Sequence, residues 1–104
     1  MYNLFITSSQ SCNADKLGEY QRQHATFQHR RAVYECVDVP SRSIWYTKPY
    51  WYVGQAEDVG KAQGWLCCKD DAPCPELTKA TWRVSDGQQM VDAPDVRSPH
   101  PISV

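Results

Sequence analysis

Three groups of side chains here are of types that carry chemistry: five cysteines, two pairs of adjacent carboxylates, and a short basic stretch with two histidines. A cysteine acts as nucleophile or metal ligand only as thiolate. Structural zinc sites use cysteine pairs about two to four residues apart. Neither the adjacent Cys67 and Cys68 nor the five-residue gap from Cys68 to Cys74 has that spacing. No Cys/His nucleophile motif surrounds any cysteine. Glu57-Asp58 and Asp70-Asp71 could offer oxygen ligands, but a calcium loop alternates its ligands and ends in a glutamate. Nor does the sequence place two carboxylates across a glycosidic bond. Glycine-rich dinucleotide and phosphate loops are absent too. The expectation is therefore no catalytic residue, no metal and no cofactor, with the acidic pairs in solvated loops.

The odd cysteine count leaves at least one thiol free or paired with another chain. Adjacent side chains on a strand point to opposite faces, so one of Cys67 and Cys68 faces the core and the other faces out. Cys68-Lys-Asp-Asp-Ala-Pro-Cys74 could fold back and close a small disulfide loop, Cys68–Cys74 or Cys67–Cys74. The competing reading is that these thiols are small buried residues, as free cysteines commonly are.

Binding chemistry has a stronger signal in the aromatic band Trp45, Tyr46, Tyr50, Trp51 and Tyr52. At strand spacing Tyr50 and Tyr52 share one face and Trp51 takes the other. Outward rings would stack on a sugar or grip a protein, since tyrosine and tryptophan combine large rigid area with a polar tip. Trp45, Tyr46, Tyr50 and Tyr52 are the candidate contacts; Trp51, Trp65 and Trp82 are assigned to the core. Arg22, His24, His29, Arg30 and Arg31 form a basic patch. Arg30 and Arg31 could meet an acidic partner as rim charges, or the patch could be a solvated edge that deters strand aggregation.

These residues must be held by a fold that is short of aliphatics. Leu, Ile, Val and Phe make up 18 of 104 residues, under the roughly one-fifth that usually marks a foldable chain. Aromatics at 12% and a net charge of only −1 argue against disorder, so rings must supply much of the core. The length suits one domain. Balanced charge gives no nucleic-acid footprint, and no apolar run could span a membrane as a helix. The first ten residues lack the basic start and apolar run of a signal peptide. The compartment stays open between cytosol and a cleaved targeting segment.

Strand formers recur at short spacing: 2–7, 32–39, 43–49, 50–54, 65–68, 81–85 and 88–91. Residues 19–28 read as an extended edge or one helical turn, and a helical turn fits 76–79. Pro49 marks a hairpin turn or an edge, and Asp86-Gly87 is a strong hairpin signal. In 81–85, Trp82 and Val84 point inward while Arg83 and Ser85 point out. The predicted class is all-β: one antiparallel meander or partly open barrel of five to seven short strands. A turn-rich lead-in (1–17), a β module (18–94) and a proline-bearing tail (95–104) divide the chain.

Gly18-Glu-Tyr20, Arg31-Ala-Val-Tyr34, Trp45-Tyr46, Trp51-Tyr-Val-Gly54, Gly64-Trp65, Asp70-Asp-Ala-Pro-Cys-Pro75 and Trp82-Arg-Val-Ser-Asp-Gly87 together resemble an uncharacterised small all-β module of algal, protist and marine invertebrate proteins. The likeness covers about residues 18–94. Arg30 stands where that pattern usually has glycine, and Ala32 where it has proline. The resemblance implies an all-β interaction module and names no activity. The functional expectation is a non-catalytic small subunit or docking domain that binds other protein subunits. Alternatives are a carbohydrate-binding domain of a secreted or surface protein and a small enzyme of unknown type.

Overall fold

The computed structural model describes residues 2–7, 17–28 and 30–103. Most of the turn-rich lead-in, including Cys12, lies outside the described residues, as do His29 and the His24 side chain. Nine strands form among the described residues: β1 (Tyr2–Ile6), β2 (Gly18–Gln28), β3 (Arg31–Cys36), β4 (Arg42–Thr47), β5 (Tyr50–Gln55), β6 (Leu66–Lys69), β7 (Arg83–Ser85), β8 (Met90–Asp92) and β9 (His100–Ser103). They make one antiparallel sheet in the order β8-β7-β6-β5-β4-β3-β2-β1-β9, curled into a half-barrel. Among the described residues the helical content is two isolated 3₁₀ turns, Ala56–Asp58 and Pro75–Leu77.

The all-β meander is as expected, with more strands. Residues 19–28, whose sequence suits either an edge or a helical turn, lie in the longest strand, β2, because β1 and β3 pair with it on both sides. The tail contributes β9, which pairs with β1 through main-chain bonds that a hydrophobic pattern does not announce. Pro101 is accommodated because β9 is an edge strand, where a missing N–H removes no inner ladder bond.

Alternation explains the core. Leu4, Ile6, Tyr20, Tyr34, Ile44, Tyr46, Trp51, Val53, Leu66, Cys68, Trp82 and Val84 project into the concave side and are buried together. Val33, Trp45, Tyr52 and Cys67 form a second buried cluster on the convex side. Cys67 and Cys68 thus face opposite ways, but both faces are covered. Trp51 and Trp82 are core residues as expected. Trp65 is only partly buried: it precedes β6 and packs against the core from its end.

The long connections are pinned by polar groups. Asp70 Oδ1 accepts the Ala72 N–H (2.9 Å), and its Oδ2 accepts those of Lys79 (2.7 Å) and Ala80 (3.1 Å). Trp51 Nε1 donates to Ala72 O (3.0 Å). After β8, Ala93, Val96 and Pro99 enter the interior. Ser98 holds that return path by donating to Thr78 O (2.7 Å). Pro49 sits in the β4–β5 turn after a cis peptide bond. The β7–β8 turn closes on Asp86, whose Oδ1 accepts the Gln88 and Gln89 N–H groups (2.9 and 3.0 Å).

Candidate functional site

A row of residues lies directly opposite one another across four strands on the convex face. Trp45 is opposite Tyr52, Tyr52 opposite Cys67, and Cys67 opposite Arg83. Tyr50 adjoins this row one pleat along β5, and Met90 projects beside it from β8. Tyr50, Tyr52, Cys67, Arg83 and Met90, with Ala62, Gln63 and Gly64, line a groove of about 370 Å³, within the size range of ligand pockets.

The rings are graded in exposure. Trp45 is fully buried, 0% exposed. Its indole stacks on Tyr52 (centroids 5.9 Å, 25° between planes), and its Nε1 donates to Lys61 O (3.1 Å), so the 56–64 loop seals it. Gly54 lies beneath it: a Cβ there would sit 2.7 Å from Trp45 Cη2. Tyr52 retains 7% exposure. Tyr50 is half-buried and leans on Tyr52 at 5.8 Å and 43°.

Two groups of the groove, the Cys67 thiol and the Tyr52 hydroxyl, are biased toward their proton-bearing forms. Burial raises the pKa of the Cys67 thiol, and the nearby Arg83 charge only partly offsets this. Burial likewise raises that of the Tyr52 hydroxyl. Arg83 itself donates to Met90 O (2.9 Å) and ion-pairs with Asp92 (3.4 Å), which fixes its stem along the groove wall. Such a surface offers apolar area, hydroxyl tips and one cation; it offers no activated nucleophile.

Of the sequence-derived contacts, the structure brings Trp45, Tyr50 and Tyr52 together. Trp45 and Tyr52 are both buried and present no open face, so of these three candidate contacts only Tyr50 is partly open. Tyr46 is on the opposite side, 1% exposed. There it joins Arg31 and Asp71: the Tyr46 hydroxyl donates to Asp71 Oδ1, and the Arg31 guanidinium lies 3.9 Å over the Tyr46 ring. Burial, then the bond to Asp71, raises the Tyr46 pKa. Arg31 also donates to Ala72 O (2.9 Å) and Asp71 O (2.6 Å), so it fastens the 70–72 loop rather than standing as a rim charge. Arg30 is exposed at the β2–β3 turn with φ 66°. Asp71 is exposed, as expected of a solvated loop, although it also meets Tyr46 and Arg31; Asp70, expected in the same solvated loop, is its polar staple.

Cys36, Cys67, Cys68 and Cys74 are free thiols, so neither of the possible bridges, Cys68–Cys74 or Cys67–Cys74, is formed, and Cys36, Cys67 and Cys68 are small buried residues as in the competing reading. Cys68 turns inward and donates to Ala80 O (3.4 Å). Burial, with the Asp70 charge, pushes its pKa up to about 12. Among the described residues no three His, Cys, Asp or Glu side chains gather as metal ligands, and no helix is long and apolar enough to cross a membrane. Cys67, Gln63 and Met90 were missed as groove residues. The strand alternation that put Arg83 outward would have found Cys67 once β6 was registered on β5; Gln63 comes from a loop with no such signal. No protein family, curated protein or solved structure matches the chain.

Proposed function

We propose that this chain is a non-catalytic interaction module that docks a partner protein on the convex-face groove, as a small subunit or docking domain of a larger assembly. The observation that carries the reading is the Tyr50–Tyr52 pair, backed by buried Trp45 and flanked by Met90. Tyrosine and methionine are enriched where proteins meet, and rings already fixed by packing lose little freedom on binding. The 43° tilt between the two rings favours a partner side chain lodged beside them over a sugar ring laid flat across both. The resemblance to small all-β modules points the same way.

The test is to isolate the native assembly, identify the subunit in contact with this chain by cross-linking and mass spectrometry, and measure its affinity for the purified chain. Tyr50→Ala removes a half-exposed ring and leaves the core intact. It should weaken binding by about thirtyfold, the size of a hot-spot loss near 2 kcal/mol. Affinity within twofold of the unaltered chain refutes the assignment.

A further inference from the structure

Asp86-Gly87 is the one Asp-Gly pair in the sequence, and it sits at the tip of the β7–β8 hairpin. An aspartate before glycine is open to attack by the main chain on its own side chain, because glycine has no Cβ to crowd the nitrogen between them. Residues 86–89 are all exposed, and a Cβ built on Gly87 would meet nothing within 4 Å, so water reaches the bond. None of the four lines the convex-face groove, so the chemistry of this turn is independent of the interaction reading.

The chemistry needs no cofactor, oxidant or reductant. The Gly87 nitrogen bonds to Asp86 Cγ, a Cγ–O bond of the carboxylic acid breaks, and its hydroxyl leaves with the amide proton as water. Water then adds to the five-membered imide. Opening at Cγ restores aspartate. Opening at the main-chain carbonyl leaves the chain running through Cβ, as isoaspartate of unchanged mass.

The closed turn opposes each requirement. Asp86 Oδ1 accepts the Gln89 and Gln88 N–H groups (3.0 and 2.9 Å), which commits the carboxyl to residues beyond the bond it must close on. The same two bonds favour the ionised form and hold the carboxyl below the usual carboxylate range; a carboxylate has no hydroxyl to lose. The Gly87 N–H, whose proton must leave, donates to Ser85 Oγ (3.2 Å). Asp86 N–H is fastened to Gln89 O (3.0 Å). The side-chain bonds are exposed, β7 and β8 have three residues each, and β8 is an edge strand. Such a turn opens without global unfolding.

We propose that Asp86 is a modification site that converts to isoaspartate at a rate set by opening of the β7–β8 turn. The product puts an extra carbon into the main chain of a turn whose length fixes the Ser85–Met90 register. Conversion therefore displaces β8, and with it Met90 on the groove wall.

The experiment incubates the intact chain at neutral pH and physiological temperature, folded in buffer and unfolded in guanidinium chloride. Mass spectrometry with electron-transfer fragmentation identifies isoaspartate at residue 86 by cleavage between its Cα and Cβ. Isoaspartate should accumulate there in both samples, at least about tenfold more slowly in the folded chain. Arg83→Ala removes the bond to Met90 O (2.9 Å) and the ion pair with Asp92 (3.4 Å), which tie β7 to β8, and leaves 84–89 unaltered. It should speed conversion of the folded chain about fivefold, the loss of one hydrogen bond. New Met90 N–H resonances should grow in step with the isoaspartate. The proposal is overturned by no isoaspartate at residue 86 of the folded chain, by equal rates in the two states, by a folded Arg83→Ala chain that converts no faster, or by Met90 resonances unmoved in converted chain. If Arg83→Ala does not fold, the comparison of folded and unfolded samples of the unaltered chain decides the rate alone.

Discussion

Removing the Asp70 carboxylate should detach the loop that covers Trp51 and Tyr46. That carboxylate accepts three backbone N–H groups, from Ala72, Lys79 and Ala80. A net value near 1 kcal/mol per hydrogen bond gives about 3 kcal/mol for Asp70→Ala. Two of the three bonds are exposed, which pulls the figure toward about 2 kcal/mol. Loosening residues 70–72 would add to it, because Trp51 Nε1 and Arg31 both bond there. Asp70→Asn keeps one acceptor oxygen and should cost about half as much. Urea unfolding of the three proteins measures this as midpoint shifts at constant slope. The pH dependence is a second reading of the same group. Burial alone would raise the Asp70 pKa, but the three N–H groups outweigh it and the net shift is downward. A carboxyl with a depressed folded pKa stabilises fully above its unfolded value of about 4 and loses that contribution as pH falls through the folded value. The difference in stability between the unaltered chain and Asp70→Asn should therefore shrink as pH falls below about 4. A loss under about 0.5 kcal/mol for Asp70→Ala, or a pH-independent difference, would refute the staple.

Gly54→Ala should destabilise by about 1–3 kcal/mol, read by urea unfolding, because the new Cβ meets the sealed Trp45 ring at 2.7 Å; near-UV circular dichroism should change with it. Arg30→Gly should be neutral or raise stability by up to about 1 kcal/mol, since a left-handed φ of 66° costs a side-chain residue about that much more than glycine. Of the four described cysteines, Cys74 should react first with a thiol reagent under native conditions, because Cys36, Cys67 and Cys68 are buried. Cys68, with its pKa pushed up to about 12, should label last as the pH is raised from neutral into the mildly alkaline range; mass spectrometry of digested, labelled protein gives the order.

Much of this molecule was decided locally. Strict alternation in Ile44-Trp-Tyr and Trp51-Tyr-Val assigns rings to faces, Pro49 and Asp86-Gly87 place their turns, and Trp82 and Val84 point inward. The scarcity of aliphatics required a core of rings, and Trp51, Trp82, Tyr20 and Tyr46 fill it. What the sequence could not decide is what covers each face. Trp45 and Tyr52 share an outward face, and alternation makes them candidates for exposure; the 56–64 loop buries Trp45 by accepting its indole N–H at Lys61 O. Asp70 and Arg31 looked like solvated charges, because the N–H and carbonyl groups they bind lie on segments joined only by folding. The tail became a strand for the same reason: its partner, β1, is at the far end of the chain. Alternation is a property of neighbouring residues and is written in the sequence. Closure of loops over faces and pairing of distant edges depend on groups far apart along the chain, and only the tertiary structure decides them.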